Sequence, residues 1–210
     1  MKPKAILIIV VILLTGSSLA YWRAVSMARQ DAIPAELMGS IWPDPQPLPA
    51  FQLTDHTGQH FGPEQLRGQW TLVFFGYTSC PDICPTTMMT LAGMVVELGK
   101  KNVAAPQVVM VSVDPERDDA AALRRYVAYF NKDFIGVNGD EAQLLVFALN
   151  MGAMYSREEL NEDGGYEIAH SASIFLVDPE GRKFGLFSPP HIPEFMADNL
   201  VQIQDYYEHN

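Results

Sequence analysis

Two cysteines, Cys80 and Cys84, stand four positions apart in the stretch Phe74-Phe75-Gly76-Tyr77-Thr78-Ser79-Cys80-Pro81-Asp82-Ile83-Cys84-Pro85-Thr86-Thr87-Met88, and the chain has no others. A disulfide scaffold spreads several pairs along a chain, and a pair this close restrains very little of the unfolded state. The value of the pair is therefore chemical: redox, metal binding or both. The spacing is C-x-x-x-C, one residue wider than C-x-x-C, so both sulfurs can face one ion while disulfide closure stays possible. Pro85 suits the first position of a helix, where a missing N–H is no loss. That puts Cys84 at or beside a helix N-terminus, whose dipole and free N–H groups favour thiolate. Thiolates are soft ligands that select copper(I), zinc or iron–sulfur clusters. In the redox alternative, Cys80 is the exposed nucleophile and Cys84 resolves.

A third donor is needed for a metal site, and the residues alone leave its identity open. His170, in Tyr166-Glu167-Ile168-Ala169-His170-Ser171, precedes a β-prone run and could be carried over the cysteines from a neighbouring sheet edge. His56, His60, His191 and His209 lack partners at ligand-like spacing and read as surface residues. Met88 and Met89 read as core residues of a helix face. Tyr77 and Phe75 read as apolar walls of the cysteine loop, and Asp82 either as a residue that tunes the loop or meets a partner or as a solvated turn residue. Asp114-Pro115-Glu116-Arg117-Asp118 reads first as a helix start, with Asp118 or Asp119 as the N-cap, and second as a loop that contacts a partner.

These residues need elements to hold them. Trp70 to Phe75 is a nearly continuous apolar run, suited to a strand buried on both faces. The cysteine loop follows, then a helix over 85–98. Val108 to Val113 is a second buried strand. Helices are predicted over 120–130 and 140–149, a strand over 172–177 ended by the turn Asp178-Pro179-Glu180-Gly181, and a closing helix over 193–207. Phe51-Gln52-Leu53 and Gln59-His60-Phe61 flank a hairpin turn near Thr57-Gly58. Strands alternating with helices predict an α/β sandwich with a largely parallel centre, and ligands of such sheets sit beyond the strand C-termini. The domain is expected over 47–207. Before it, 24–46 reads as a linker, stiffened where proline alternates with other residues from Trp42 to Pro49.

The chain has 210 residues, 48% of them hydrophobic, which is enough for one packed domain with appendages. Its formal charge of −11 is uneven: residues 1–30 hold four basic groups and no acidic ones, leaving −15 on the remainder. Such a surface repels phosphate backbones, which argues against nucleic-acid binding. Lys2 and Lys4 precede an apolar run, Ala5 to Leu14, followed by Ser18-Leu19-Ala20 and Tyr21-Trp22. This reads either as a cleaved signal segment or as a transmembrane anchor over 1–23. Both send the domain to the extracytoplasmic, periplasmic side.

The motif from Phe75 to Pro85 resembles that of the SCO/SenC copper proteins. So do Val111-Ser112-Val113-Asp114-Pro115-Glu116-Arg117-Asp118, and His170 followed by a strand and Asp178-Pro179-Glu180-Gly181. The resemblance implies a thioredoxin-like three-layer α/β sandwich with a mixed central sheet and an N-terminal membrane helix. It implies one copper ion, Cu(I) or Cu(II), on Cys80, Cys84 and His170. It further implies delivery of copper to, or maturation of, the binuclear copper site of cytochrome c oxidase, with the copper-bearing subunit or another copper chaperone as partner. Three donors suit copper(I), whereas structural zinc sites take four. Two other roles remain open: a dedicated thiol–disulfide oxidoreductase acting on the partner's cysteines, and a redox or copper sensor. A peroxiredoxin would carry Thr three residues before its cysteine, where this chain has Tyr77. One departure is visible: the family usually has an acidic residue before the histidine, and this chain has Ala169.

Overall fold

A computed structural model describes residues 33–158 and 165–209 of the chain. The expected anchor over 1–23 lies outside them. Among the described residues, no helix is long and apolar enough to cross a membrane.

The centre of the fold is the apolar run foreseen as a strand. Thr71–Gly76 (β4) is buried at every position, and Gln107–Ser112 (β5) nearly so. The two pair in parallel, and β5 pairs in parallel with Ile135–Asn138 (β6), a short strand. Parallel neighbours need crossovers, and helices supply them. Ile83–Lys100 (α1) joins β4 to β5, and Ala120–Phe130 (α2) joins β5 to β6. Around this centre the pairing is antiparallel. Ile174–Val177 (β9) lies against β4, and Arg182–Phe187 (β10) against β9. Leu53–Asp55 (β2) pairs with β6 and, as the foreseen hairpin, with His60–Phe61 (β3). The result is a mixed α/β, thioredoxin-like sheet flanked by helices on both faces.

Residue alternation along β4 sorts the core. Phe75 faces Glu141–Met151 (α3), where its ring lies 5.6 Å from that of Phe147, itself stacked on Phe51 at 4.2 Å. Phe74 and Gly76 face the other side, toward α1. There α1 packs against the closing helix Pro193–His209 (α4).

The proline-alternating stretch is not a free spacer. Ile41–Pro47 (β1) is the edge strand beside β10, with Ile41 opposite Gly185 and Pro47 opposite Arg182. Prolines are barred from sheet interiors because they cannot donate, but an edge leaves every second N–H unused. Gly185 permits the approach, since any side chain there would collide with the Ser40 carbonyl. Residues 41–46, expected as linker, are part of this edge strand.

A second, two-stranded sheet stands apart from the first. Tyr155–Arg157 (β7) and Ile168–His170 (β8) pair antiparallel, with Tyr155 opposite His170. This hairpin carries the third candidate ligand.

Candidate metal centre

Cys80 and Cys84 lie just beyond the C-terminal end of β4. Cys80 sits in the loop, partly exposed, with its N–H donating to the Tyr77 carbonyl at 3.2 Å. Cys84 is the second residue of α1, which starts at Ile83, two residues earlier than expected, and its side chain is fully buried. His170 reaches over them from β8: its Nε2 is 3.3 Å from Cys84 Sγ and 4.0 Å from Cys80 Sγ. The three donor atoms all lie within 4.8 Å of one another, the one such His/Cys/Asp/Glu group among the described residues. A trigonal metal with bonds of about 2.0–2.3 Å holds its donors about 3.5–4 Å apart. The observed spacing brackets that range, so a soft ion could be held with only small adjustments.

The electrostatics prepare the imidazole but not the helix thiol. Burial pushes His170 below its usual range, so it is neutral and its nitrogen lone pair is available. Its Nδ1 lies 3.2 Å from the Ser171 carbonyl. A proton donated there leaves Nε2 bare toward the sulfurs, the arrangement that orients a metal-binding histidine. Cys84 goes the other way. Burial pushes its thiol well up, against a lowering contact from the Tyr77 backbone, and the neighbouring Cys80 adds to the rise. The thiolate expected from the helix N-terminus is therefore not the resting form. Desolvation outweighs the dipole, and the proton leaves when a metal replaces it.

The walls correct one sequence expectation. Phe74, not Phe75, faces the imidazole, with ring centroids 5.7 Å apart, and Tyr77 lies edge-on to it at 5.9 Å. Gly76 faces the same side. A Cβ there would fall 2.7 Å from Cys84 Sγ and 2.8 Å from the Phe74 ring. Gly76→Ala should therefore displace the sulfur, lowering metal affinity in chelator competition and stability by about 1–3 kcal/mol in denaturant unfolding.

Other candidates fall outside the centre. Met88 is buried, but Met89 is 65% exposed, so only the first is a core residue. Asp82 is exposed and caps α1 without a side-chain bond. His60 and His209 are exposed. His56 and His191 are partly buried, and His191 is engaged with the Ala172 carbonyl at 2.8 Å. Ala169, in the place of the acidic residue the family usually has, is exposed, pairs with Ser156 across the hairpin and lines the same cleft as Cys80 and His170.

The segment read as a helix start does more than cap. Asp119 is the N-cap of α2, accepting from Ala122 N–H at 2.6 Å. Asp118 is wholly buried and turned toward the cysteine loop. Its carboxyl group accepts from Thr78 N–H at 2.9 Å, Thr78 Oγ1 at 2.6 Å and Ser112 Oγ at 2.6 Å.

Residues 44–205 match the family model described as SCO1/SenC. The chain is 40% identical over 153 residues to the mitochondrial protein SCO2 homolog of Mus musculus, covering 72% of this chain and 58% of the mouse protein. Among solved structures, it resembles Arabidopsis thaliana ScoI with copper bound (30% identity, TM-score 0.71, 75% of this chain and 98% of that one). It also resembles Bradyrhizobium japonicum ScoI with copper bound (34% identity, TM-score 0.65, 74% of this chain and 98% of that one).

Proposed function

We propose, from the premise that the chain belongs to the SCO1/SenC family, that Cys80, Cys84 and His170 bind one copper ion as cargo. The chain delivers this copper to, or helps mature, the binuclear copper site of cytochrome c oxidase. The observation that carries the reading is the convergence of two sulfurs and a neutral, oriented imidazole at a strand C-terminus. Three donors leave a position through which a partner's ligand can enter and draw copper(I) away. The partner is the copper-bearing subunit of the oxidase or another copper chaperone. The N-terminal apolar run anchors the domain to a membrane with its site on the extracytoplasmic side.

Copper stoichiometry on the reduced full chain tests this, after anaerobic copper(I) loading against a competing chelator. The unmodified chain should retain one copper. His170→Ala should hold it at least about tenfold more weakly, and His191→Ala as well as the parent. Equal retention in the His170 variant would remove that residue from the site.

A second role fits the same residues. Cys80 is partly exposed and Cys84 buried, the asymmetry expected of an attacking and a resolving thiol. His170→Ala separates the two roles, because thiol exchange needs only the sulfurs.

A further inference from the structure

The hairpin that carries His170 is outside the main sheet, so something else must fix its height above the cysteines. One cluster ties it to the rest of the domain, and it grows from the same segment that holds the cysteine loop. Tyr166, four residues before His170, donates its hydroxyl to Asp114 Oδ1 at 2.8 Å. Arg117 Nε is bonded to the other oxygen of that buried carboxyl group. Arg117 Nη1 donates to the Tyr166 carbonyl at 3.0 Å, and its guanidinium carbon lies 3.8 Å from the Tyr166 ring centre. Arg157, on the partner strand of the hairpin, lies 4.2 Å from the same ring centre and pairs with Glu116 at 3.1 Å. Tyr77 closes the connection: Ile168 N–H reaches its hydroxyl at 3.4 Å, and Arg117 lies 5.5 Å from its ring centre.

We propose that Arg117 and Asp114, acting through Tyr166, are positioning residues for His170. Together with Asp118 on Thr78, they make the Ser112–Asp118 segment the gauge that sets the distance between imidazole and sulfurs. Neither Arg117 nor Asp114 belongs to the donor group. Arg117 contributes a planar fork that binds a carboxyl group and a carbonyl while stacking on a ring, which a lysine cannot reproduce. The proposal rests on the copper reading above for its functional consequence, but not for its structural one.

The test uses the full chain with Arg117→Met, Arg117→Lys and Tyr166→Phe, and Arg124→Met as a comparator on α2. Amide exchange is measured without metal. Arg117→Met should speed exchange in Tyr155–Arg157 and Ile168–His170 while β4 and β5 keep their protection. Copper(I) affinity should fall about 10- to 100-fold, the size of effect seen when a ligand loses its outer support. Nitrogen coupling in the copper(II) EPR spectrum should weaken, and the Cys80–Cys84 potential should stay that of the parent. Arg117→Lys should restore little. Tyr166→Phe keeps the ring but loses the Asp114 bond, and should fall between. Arg124→Met should match the parent. Unchanged hairpin exchange in both Arg117→Met and Tyr166→Phe would overturn the proposal. So would exchange that rises equally throughout the domain, since the cluster would then be holding the fold and not the hairpin. Failure of the parent chain to bind copper would sink the reading above, and hairpin exchange would still decide this one.

Discussion

Cys84→Ser should abolish tight copper(I) binding while leaving a folded domain. The loss should exceed the roughly 10–100-fold attached to disturbing a ligand's outer partner, because here the ligand itself goes. A serine hydroxyl is a hard oxygen that does not ionise at neutral pH, so two donors remain, Cys80 and His170. The fold survives because the substitution is nearly isosteric and the new hydroxyl has a partner: the imidazole nitrogen stands 3.3 Å from the present sulfur. The same residue sets a pH dependence. Burial holds the Cys84 thiol protonated, so copper uptake must expel that proton. Copper affinity of the parent chain should climb by up to about tenfold per pH unit for this one proton. The imidazole adds no slope near neutrality, since burial has already lowered it into its neutral form. Cys84→Ser should lose the Cys84 contribution, which chelator competition at several pH values measures as the difference between the two proteins. An identical slope would mean that Cys84 is not the proton source. The metal-free parent should show the opposite trend in stability. Its folded thiol binds a proton more tightly than the unfolded one, so the contribution is full below about pH 8.5 and lost as pH rises above it.

How far the sequence revealed this centre depends on how local each signal is. The sulfurs were legible because their spacing, the preceding apolar strand and Pro85 all lie within one short stretch. The parallel centre was legible from its apolar runs. His170 was not singled out by its own surroundings. Its position depends on a separate hairpin and on contacts with residues about 90 positions away, and only the resemblance marked it. The wall residue was misjudged by one place, Phe75 for Phe74, because a strand turns alternate side chains to opposite faces and a continuous apolar run does not say which is which. The edge strand Ile41–Pro47 was missed because proline argues against strands except where one side of the strand is unpaired. Cys84 was expected to be a thiolate because a helix start is visible in sequence, whereas the burial that overrides it is not.

Asp118 shows the same limit and gives the largest expected loss of stability. Aspartate before a helix is ordinarily read as a cap, and Asp119 fills that role here, where alanine should cost about 1 kcal/mol. Asp118→Ala should cost more, about 3–5 kcal/mol, because it strands three donors around a wholly buried carboxyl position: Thr78 N–H, Thr78 Oγ1 and Ser112 Oγ. For a domain of this size that lowers the melting temperature by roughly 10 °C. Asp118→Asn should recover much of the loss. Its one carbonyl oxygen can still accept from Thr78 N–H and Ser112, and the Thr78 hydroxyl can turn to accept from the new amide. Thermal and denaturant unfolding of the three variants measure the difference. Equal losses for Asp118→Ala and Asp119→Ala would reduce Asp118 to a second helix-end residue. A larger loss at Asp118, with looser copper binding even where the domain remains folded, would follow from its grip on Thr78. That residue stands two positions before Cys80, so releasing it frees the loop whose sulfur must meet the imidazole.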